Sequence, residues 1–168
     1  NTNETVVIDP GDQAELIIEK IDKQGLKPVA ILLTHGHFDH IMAAPELAKE
    51  YGIEIYVAQP EESILSNEKL NCSGMVRKNF TLNADVLLDN NEEVNLAGMK
   101  IKTIYTPGHT LGGVSYYIEE KNLLFSGDTL FYESVGRTDF PTGDIRSLIH
   151  SIEQYLLVLE DDVKVYPG

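Results

Sequence analysis

The chain has 168 residues, a net charge of −14, 42% hydrophobic and 24% charged side chains, a balance that suits one soluble domain over residues 1–168 with a substantial core. Its Lys and Arg residues are scattered and form no patch, which argues against nucleic acid as a partner. No apolar run reaches the length of a membrane span and no signal-peptide pattern opens the chain, so a cytoplasmic protein with no membrane partner is expected.

Residues 6–8 (Val-Val-Ile) read as a short buried strand closed by the turn signal Asp9-Pro10-Gly11. A helix follows, with Asp12 near its cap, Leu16, Ile17 and Ile21 on one face and Gly25 at its end. Residues 29–33 form a second strand, 43–51 a helix closed by Gly52, 53–58 a third strand and 60–65 a short helix. This β-α-β-α-β rhythm indicates α/β layering. Residues 66–81 sustain no period and are expected to form a mobile loop. Cys72, in that stretch, is the only cysteine, so no internal disulfide forms, and it reads as an incidental thiol away from the candidate ligands. Residues 85–88, 93–96, 99–105, 114–119 and 122–126 are short strands joined by turns such as Asn90-Asn91 and Ala97-Gly98, a run that reads as an antiparallel meander. Residues 145–159 have helical periodicity with Gly143 or Asp144 near the cap, and 163–166 form a last strand.

Three polar clusters each follow a strand-like run. The first, Thr34-His35-Gly36-His37-Phe38-Asp39-His40, places three imidazoles and a carboxylate within six residues. Zinc and similar ions take imidazole nitrogen and carboxylate oxygen at about 2.0–2.2 Å, so their ligands must converge on a small volume. His35 and His37 face the same way only while the backbone is extended, and Asp39 and His40 point elsewhere once a helix begins, so the spacing suits two metals better than one. The other clusters are Thr106-Pro107-Gly108-His109-Thr110 and Phe125-Ser126-Gly127-Asp128-Thr129. Asp9 stands open between a turn-forming residue and a carboxylate that fixes the tautomer of a ligand imidazole. Thr110 and Thr129 read as caps, and His150 as a surface or interface histidine.

The HxHxDH pattern at His35–His40, followed by Gly108-His109 and Gly127-Asp128-Thr129, resembles the metallo-β-lactamase-fold hydrolase superfamily. The stretch Ser134-Val135-Gly136-Arg137-Thr138-Asp139-Phe140-Pro141, followed by Gly143-Asp144, resembles the small bacterial glyoxalase-II-type, hydroxyacylglutathione hydrolase-like branch. The resemblance covers the chain from Val6 onward and implies a four-layer αββα sandwich. In that family His35, His37 and His109 would hold one divalent metal, Asp39 and His40 a second, and Asp128 would bridge both; zinc is expected, with iron or manganese as alternatives. The family's last ligand is a histidine in a Tyr-Pro-Gly-His-Gly stretch, where this chain has Tyr166-Pro167-Gly168, and a hairpin usually precedes its first Val-Ile-Asp-Pro-Gly strand. The chain is therefore expected to be the inner part of a longer protein, incomplete at both termini.

The implied reaction is hydrolysis of a small-molecule thioester, S-lactoylglutathione or a relative with another low-molecular-weight thiol, by a metal-bound hydroxide, with Asp39 passing a proton to the leaving group. Glyoxalase II proper contacts glutathione with a Lys and a Tyr near residues 132–140, where this chain has Tyr132 and Arg137 and no Lys. Tyr132 and Arg137 are the candidate substrate contacts, with an Arg137–Asp139 ion pair as the structural alternative. The competing reading is an iron persulfide dioxygenase of the same fold, with His35, His109 and Asp128 as a facial triad. A β-lactamase role is not expected without a secretory signal.

Overall fold

The computed structural model describes residues 2–168. Four parallel strands make the first sheet in chain order: β1 (Glu4–Ile8), β2 (Lys27–Leu32), β3 (Glu54–Ala58) and β4 (Val86–Leu88). The first two crossovers carry α1 (Ala14–Lys23), the single turn α2 (Phe38–Ile41) and α3 (Ala44–Tyr51). The third carries α4 (Glu62–Leu65) and a long irregular stretch. The second sheet has the order β11-β8-β7-β6-β5, built from β5 (Glu93–Leu96), β6 (Met99–Tyr105), β7 (Val114–Ile118), β8 (Leu123–Gly127) and β11 (Lys164–Pro167). Its strands pair antiparallel except β11, which lies parallel to β8. A small hairpin, β9 (Leu130–Phe131) and β10 (Ser134–Val135), precedes α5 (Ile145–Ser151). Among the described residues no helix is long and apolar enough to cross a membrane.

Side-chain parity explains the layering. On β2 and just beyond it, Ile31 and Leu33 face the α1–α3 side while Leu32 faces the second sheet, so a strand buried on both faces reads as a continuous apolar run. Between the sheets Leu32, Ala58 and Leu88 meet Ile101, Val114, Tyr116 and Ile118. On the far side of the second sheet Ile104, Tyr117 and Leu124 pack against Leu148, Ile152 and Leu156 of the α5 region. The result is the expected αββα sandwich, with one apolar layer at each of its three interfaces.

Three expectations change. Residues 85–88 do not begin the meander: Val86–Leu88 pairs parallel with β3 and completes the first sheet, its Leu88 buried at the inter-sheet face. The stretch 66–81 carries regular hydrogen bonds: Asn71 Nδ2 donates to the carbonyls of Leu65 and Phe80, and Ser73 Oγ donates to the Phe80 carbonyl. Fully buried Asn71 and Ser73 thus replace a periodic backbone with side-chain anchors, which no hydrophobic period reveals. The helix over 145–159 is α-helical only to Ser151 and widens to a π-helical turn over Ile152–Leu156. Asp144 caps it as expected, accepting from Ser147 N at 2.7 Å.

Candidate metal centre

The site lies where the carboxyl ends of β1, β2, β6 and β8 meet. Cross-sheet bonds fix that junction: Tyr116 Oη donates to the Leu33 carbonyl at 2.8 Å and Val114 N to the Thr34 carbonyl at 2.9 Å. Beyond β2 the chain stays extended through His37 (φ −66°, ψ 145°) and then turns into α2, as the spacing of His35, His37, Asp39 and His40 requires. Met42 N and Ala43 N donate to the carbonyls of Gly11 and Pro10, seating the α2 turn on the Asp9-Pro10-Gly11 corner.

His35, His37 and His109 are all buried, and their ring centroids lie 4.7–4.8 Å apart in edge-to-face pairs. One ligand nitrogen from each falls within 4.8 Å of the others. Their tautomers are set from behind. His109 Nδ1 lies 2.7 Å from the Arg137 carbonyl, an acceptor only, so Nδ1 carries the proton and Nε2 offers a lone pair. The Thr34 hydroxyl donates to Asp9 Oδ2 at 2.6 Å, which leaves its oxygen to accept from His35 Nδ1 at 3.1 Å and frees His35 Nε2. His35 Nε2 is buried with no hydrogen-bond partner among the described residues. His37 Nδ1 faces the unprotonated His109 Nε2 at 2.9 Å. Burial holds His37 at about 3 and lowers His35 well below its ordinary range, so neither imidazole is cationic at neutral pH. Three neutral nitrogens converging on one point, one of them orphaned, fit a divalent metal.

His40 stands against this trio, its ring 4.1 Å from that of His35. Its Nδ1 meets Asp9 Oδ2 at 3.0 Å and its Nε2 meets Asp128 Oδ1 at 3.3 Å, while Asp128 Oδ2 lies 3.5 Å from His109 Nε2. Burial opposes a charge on His40, but the bonds to Asp128 and Asp9 overcome it and lift the imidazole to about 10. Asp128 thus reaches both groups of histidines, as a bridging carboxylate must. Asp9 takes the orienting role: it accepts from Thr34 N at 2.7 Å as well as from the Thr34 hydroxyl, and engages His40. Asp39 lines the same cavity as Asp9, Thr34 and His40, a space of about 630 Å³, without a hydrogen bond to the imidazoles among the described residues.

The candidate substrate contacts fall outside this cluster. Tyr132, in the β9–β10 turn, is 88% exposed. Arg137 forms the structural alternative: Nε and Nη2 each lie 2.7 Å from an Asp139 carboxylate oxygen, and the guanidinium lies 3.9 Å over the Phe140 ring. Phe140 in turn packs edge-to-face on His37 at 5.6 Å. His150 is exposed, with its ring edge-on to Tyr155. The buried Thr110 hydroxyl caps no helix or turn and acts on the Glu61 carboxyl instead, and the Thr129 hydroxyl lies 3.1 Å from that of Thr106.

Three contributors escaped the sequence reading. Thr34 links Asp9 to His35 through a hydroxyl that no motif distinguishes. Glu61 is fully buried behind the His35–His37 loop and looks like any surface acid in Gln59-Pro60-Glu61-Glu62. Cys72 is buried, and the charge of Asp39 adds to its burial in raising the thiol above its ordinary range, so it stands nearer the site than expected.

Comparison with known proteins agrees with this geometry. The family model described as the metallo-beta-lactamase superfamily matches residues 1–168. The chain is 39% identical to the probable metallo-hydrolase YqgX of Bacillus subtilis, covering 99% of this chain and 80% of that protein. It is 36% identical to the hydroxyacylglutathione hydrolase GloC of Haemophilus influenzae, covering 96% and 78%. Among solved structures, the BLEG-1 B3 metallo-beta-lactamase superposes with a TM-score of 0.94 at 38% identity, covering 99% of this chain and 81% of that one. TTHA1623 in a di-iron-bound form superposes with a TM-score of 0.85 at 32% identity, covering 96% and 79%. The chain belongs to the metallo-β-lactamase superfamily, whose members bind divalent metals. Within it, the chain is similar to a probable metallo-hydrolase and to a hydroxyacylglutathione hydrolase.

Proposed function

We propose that the chain hydrolyses a thioester of a low-molecular-weight thiol, with S-lactoylglutathione the first candidate, using two divalent metals, zinc foremost. The observation that carries this reading is Asp128 set between His40 and the His35–His37–His109 trio, two nitrogen-rich groups joined by one carboxylate. The similarity to GloC supports the thioester class. Divalent ions held there would supply ionised water at neutral pH and a counter-charge for a developing oxyanion.

The chain's own residues do the rest. His35, His37 and His109 would hold one ion, Asp39 and His40 the other, and Asp128 both. Asp9, Thr34 and the Arg137 carbonyl keep the imidazole tautomers fixed so that lone pairs face inward. Asp39, which lines the cavity, would return a proton to the departing thiolate. Phe140 packs edge-to-face on the His37 ring, and Tyr132 and Arg137 would contact the substrate from the segment that follows Asp128.

The test is thiol release from S-lactoylglutathione by zinc-loaded protein, with metal counted per chain. Activity with about two ions, falling to background in His35→Ala, is expected. A second reading, persulfide oxidation at a single iron held by His35, His109 and Asp128, draws on His109 and Asp128 lying 3.5 Å apart. Oxygen uptake with glutathione persulfide by iron-loaded protein, and no thiol release, would replace the first reading. Turnover of a chromogenic cephalosporin alone would replace both.

A further inference from the structure

Glu61 is the only acidic side chain in the fully buried class among the described residues. It ends a short 3₁₀ turn, Gln59–Glu61, just beyond β3, and no Lys or Arg pairs with it among the described residues. Its two oxygens are divided between two loops. Oε1 accepts from Gly36 N at 3.0 Å and Oε2 accepts from Gly112 N at 2.9 Å. Gly36 separates His35 from His37, and Gly112 lies three residues after His109. The two loops leave different sheets, so this carboxylate is a direct tie between the halves of the metal centre.

The approach needs bare backbone on both sides. A Cβ on Gly112 would sit 2.6 Å from Glu61 N and 2.8 Å from Oε2, and one on Gly36 would meet Ile64 at 3.0 Å and Leu65 at 3.2 Å. Burial pushes the Glu61 carboxyl up to about 7, against the pull of Thr110, Gly36 and Gly112. A buried acid without a cation costs stability that an apolar side chain of similar size would not. Its presence between two ligand-bearing loops points to the geometry of the ligands and away from packing.

We propose that Glu61 is a positioning residue that, through its bonds to Gly36 and Gly112, holds His35 and His37 at the correct distance from His109 and thereby sets metal affinity and ligand field at that site. The inference rests on the reading of those three histidines as metal ligands.

The test is a cobalt(II) titration of the full chain followed by its visible absorption. Glu61→Gln keeps the size but turns an amide N–H towards one of the two glycine N–H groups. It is expected to weaken cobalt binding by about 10–100-fold and to shift the absorption bands. Ile21→Ala on α1, which lowers the melting temperature without touching either loop, is expected to leave both unchanged. Wild-type affinity and spectrum in Glu61→Gln, or an equal change in Ile21→Ala, would overturn the proposal. Should Glu61→Gln not fold, amide exchange in the metal-free wild type decides: Gly36 and Gly112 are expected to exchange slowly and together, and free exchange at either overturns the tie. A wild-type chain that takes up no cobalt would instead sink the metal reading itself, before any variant is made.

Discussion

At the scale of single residues, Asp9 has the widest reach per atom. Its carboxylate serves Thr34 N, the Thr34 hydroxyl and His40 Nδ1 from a backbone at φ 46°, a left-handed conformation unusual for a residue with a side chain. Asp9→Ala is expected to lower metal affinity on the His40 side by roughly 10–100-fold. Calorimetry should show the first equivalent of zinc binding tightly and the second weakly; two tight equivalents would count against the role. The candidate histidine ligands were legible in the sequence, because imidazoles are rare in this chain and cluster after strands. It left Asp9 undecided and hid Thr34, because Asp at a turn and Thr near a strand end are common whatever they touch. Glu61 was illegible for a related reason: its burial is a property of the folded chain, and its neighbours in sequence are polar.

At the scale of elements, the loops owe their shape to what packs behind them. Gly108 (φ 140°) lies flat against the backbone of Leu148 in α5, and Asp144 N donates to the Gly108 carbonyl at 2.8 Å. Gly108→Ala would drive a methyl into that helix and is expected to cost at least about 2 kcal/mol, read by urea unfolding. It should also weaken metal binding, since His109 is the next residue. The Glu61 turn has a pH signature. Its folded pKa of about 7 lies above the ordinary 4.5, so the folded chain keeps a proton that the unfolded chain has released. The contribution is therefore fully present below pH 4.5 and is lost as pH rises through 7. The stability of metal-free wild type relative to Glu61→Gln should fall over that window by on the order of 3 kcal/mol. A flat difference would contradict it. Element types were legible where apolar periodicity was strong, as in β2 and α3. The assignment of β4 was not, because a three-residue strand carries too little pattern to declare which sheet it joins.

At the scale of the whole molecule, three apolar layers support one polar centre at a single rim of the sandwich. That centre holds four buried histidines, and without a bound ion the buried Nε2 atoms of His35 and His37 have no hydrogen-bond partner among the described residues. Chelation is expected to lower the melting temperature by about 10 °C, the shift that ligand at about 1,000 times its dissociation constant confers on a chain of this size. Scanning calorimetry with and without a chelator checks this. The αββα order was legible from the succession of elements together with the resemblance. The three-way division of the core was not, because on strands buried on both faces the sequence does not say which neighbour lies on which side.

Arg137 separates two duties within one residue. Its peptide oxygen steadies His109, while its guanidinium lies over Phe140 and grips Asp139 at the surface. Every amino acid carries the same oxygen, so a substitution at position 137 would change the surface beside Phe140 and Asp139 while keeping the bond that steadies His109.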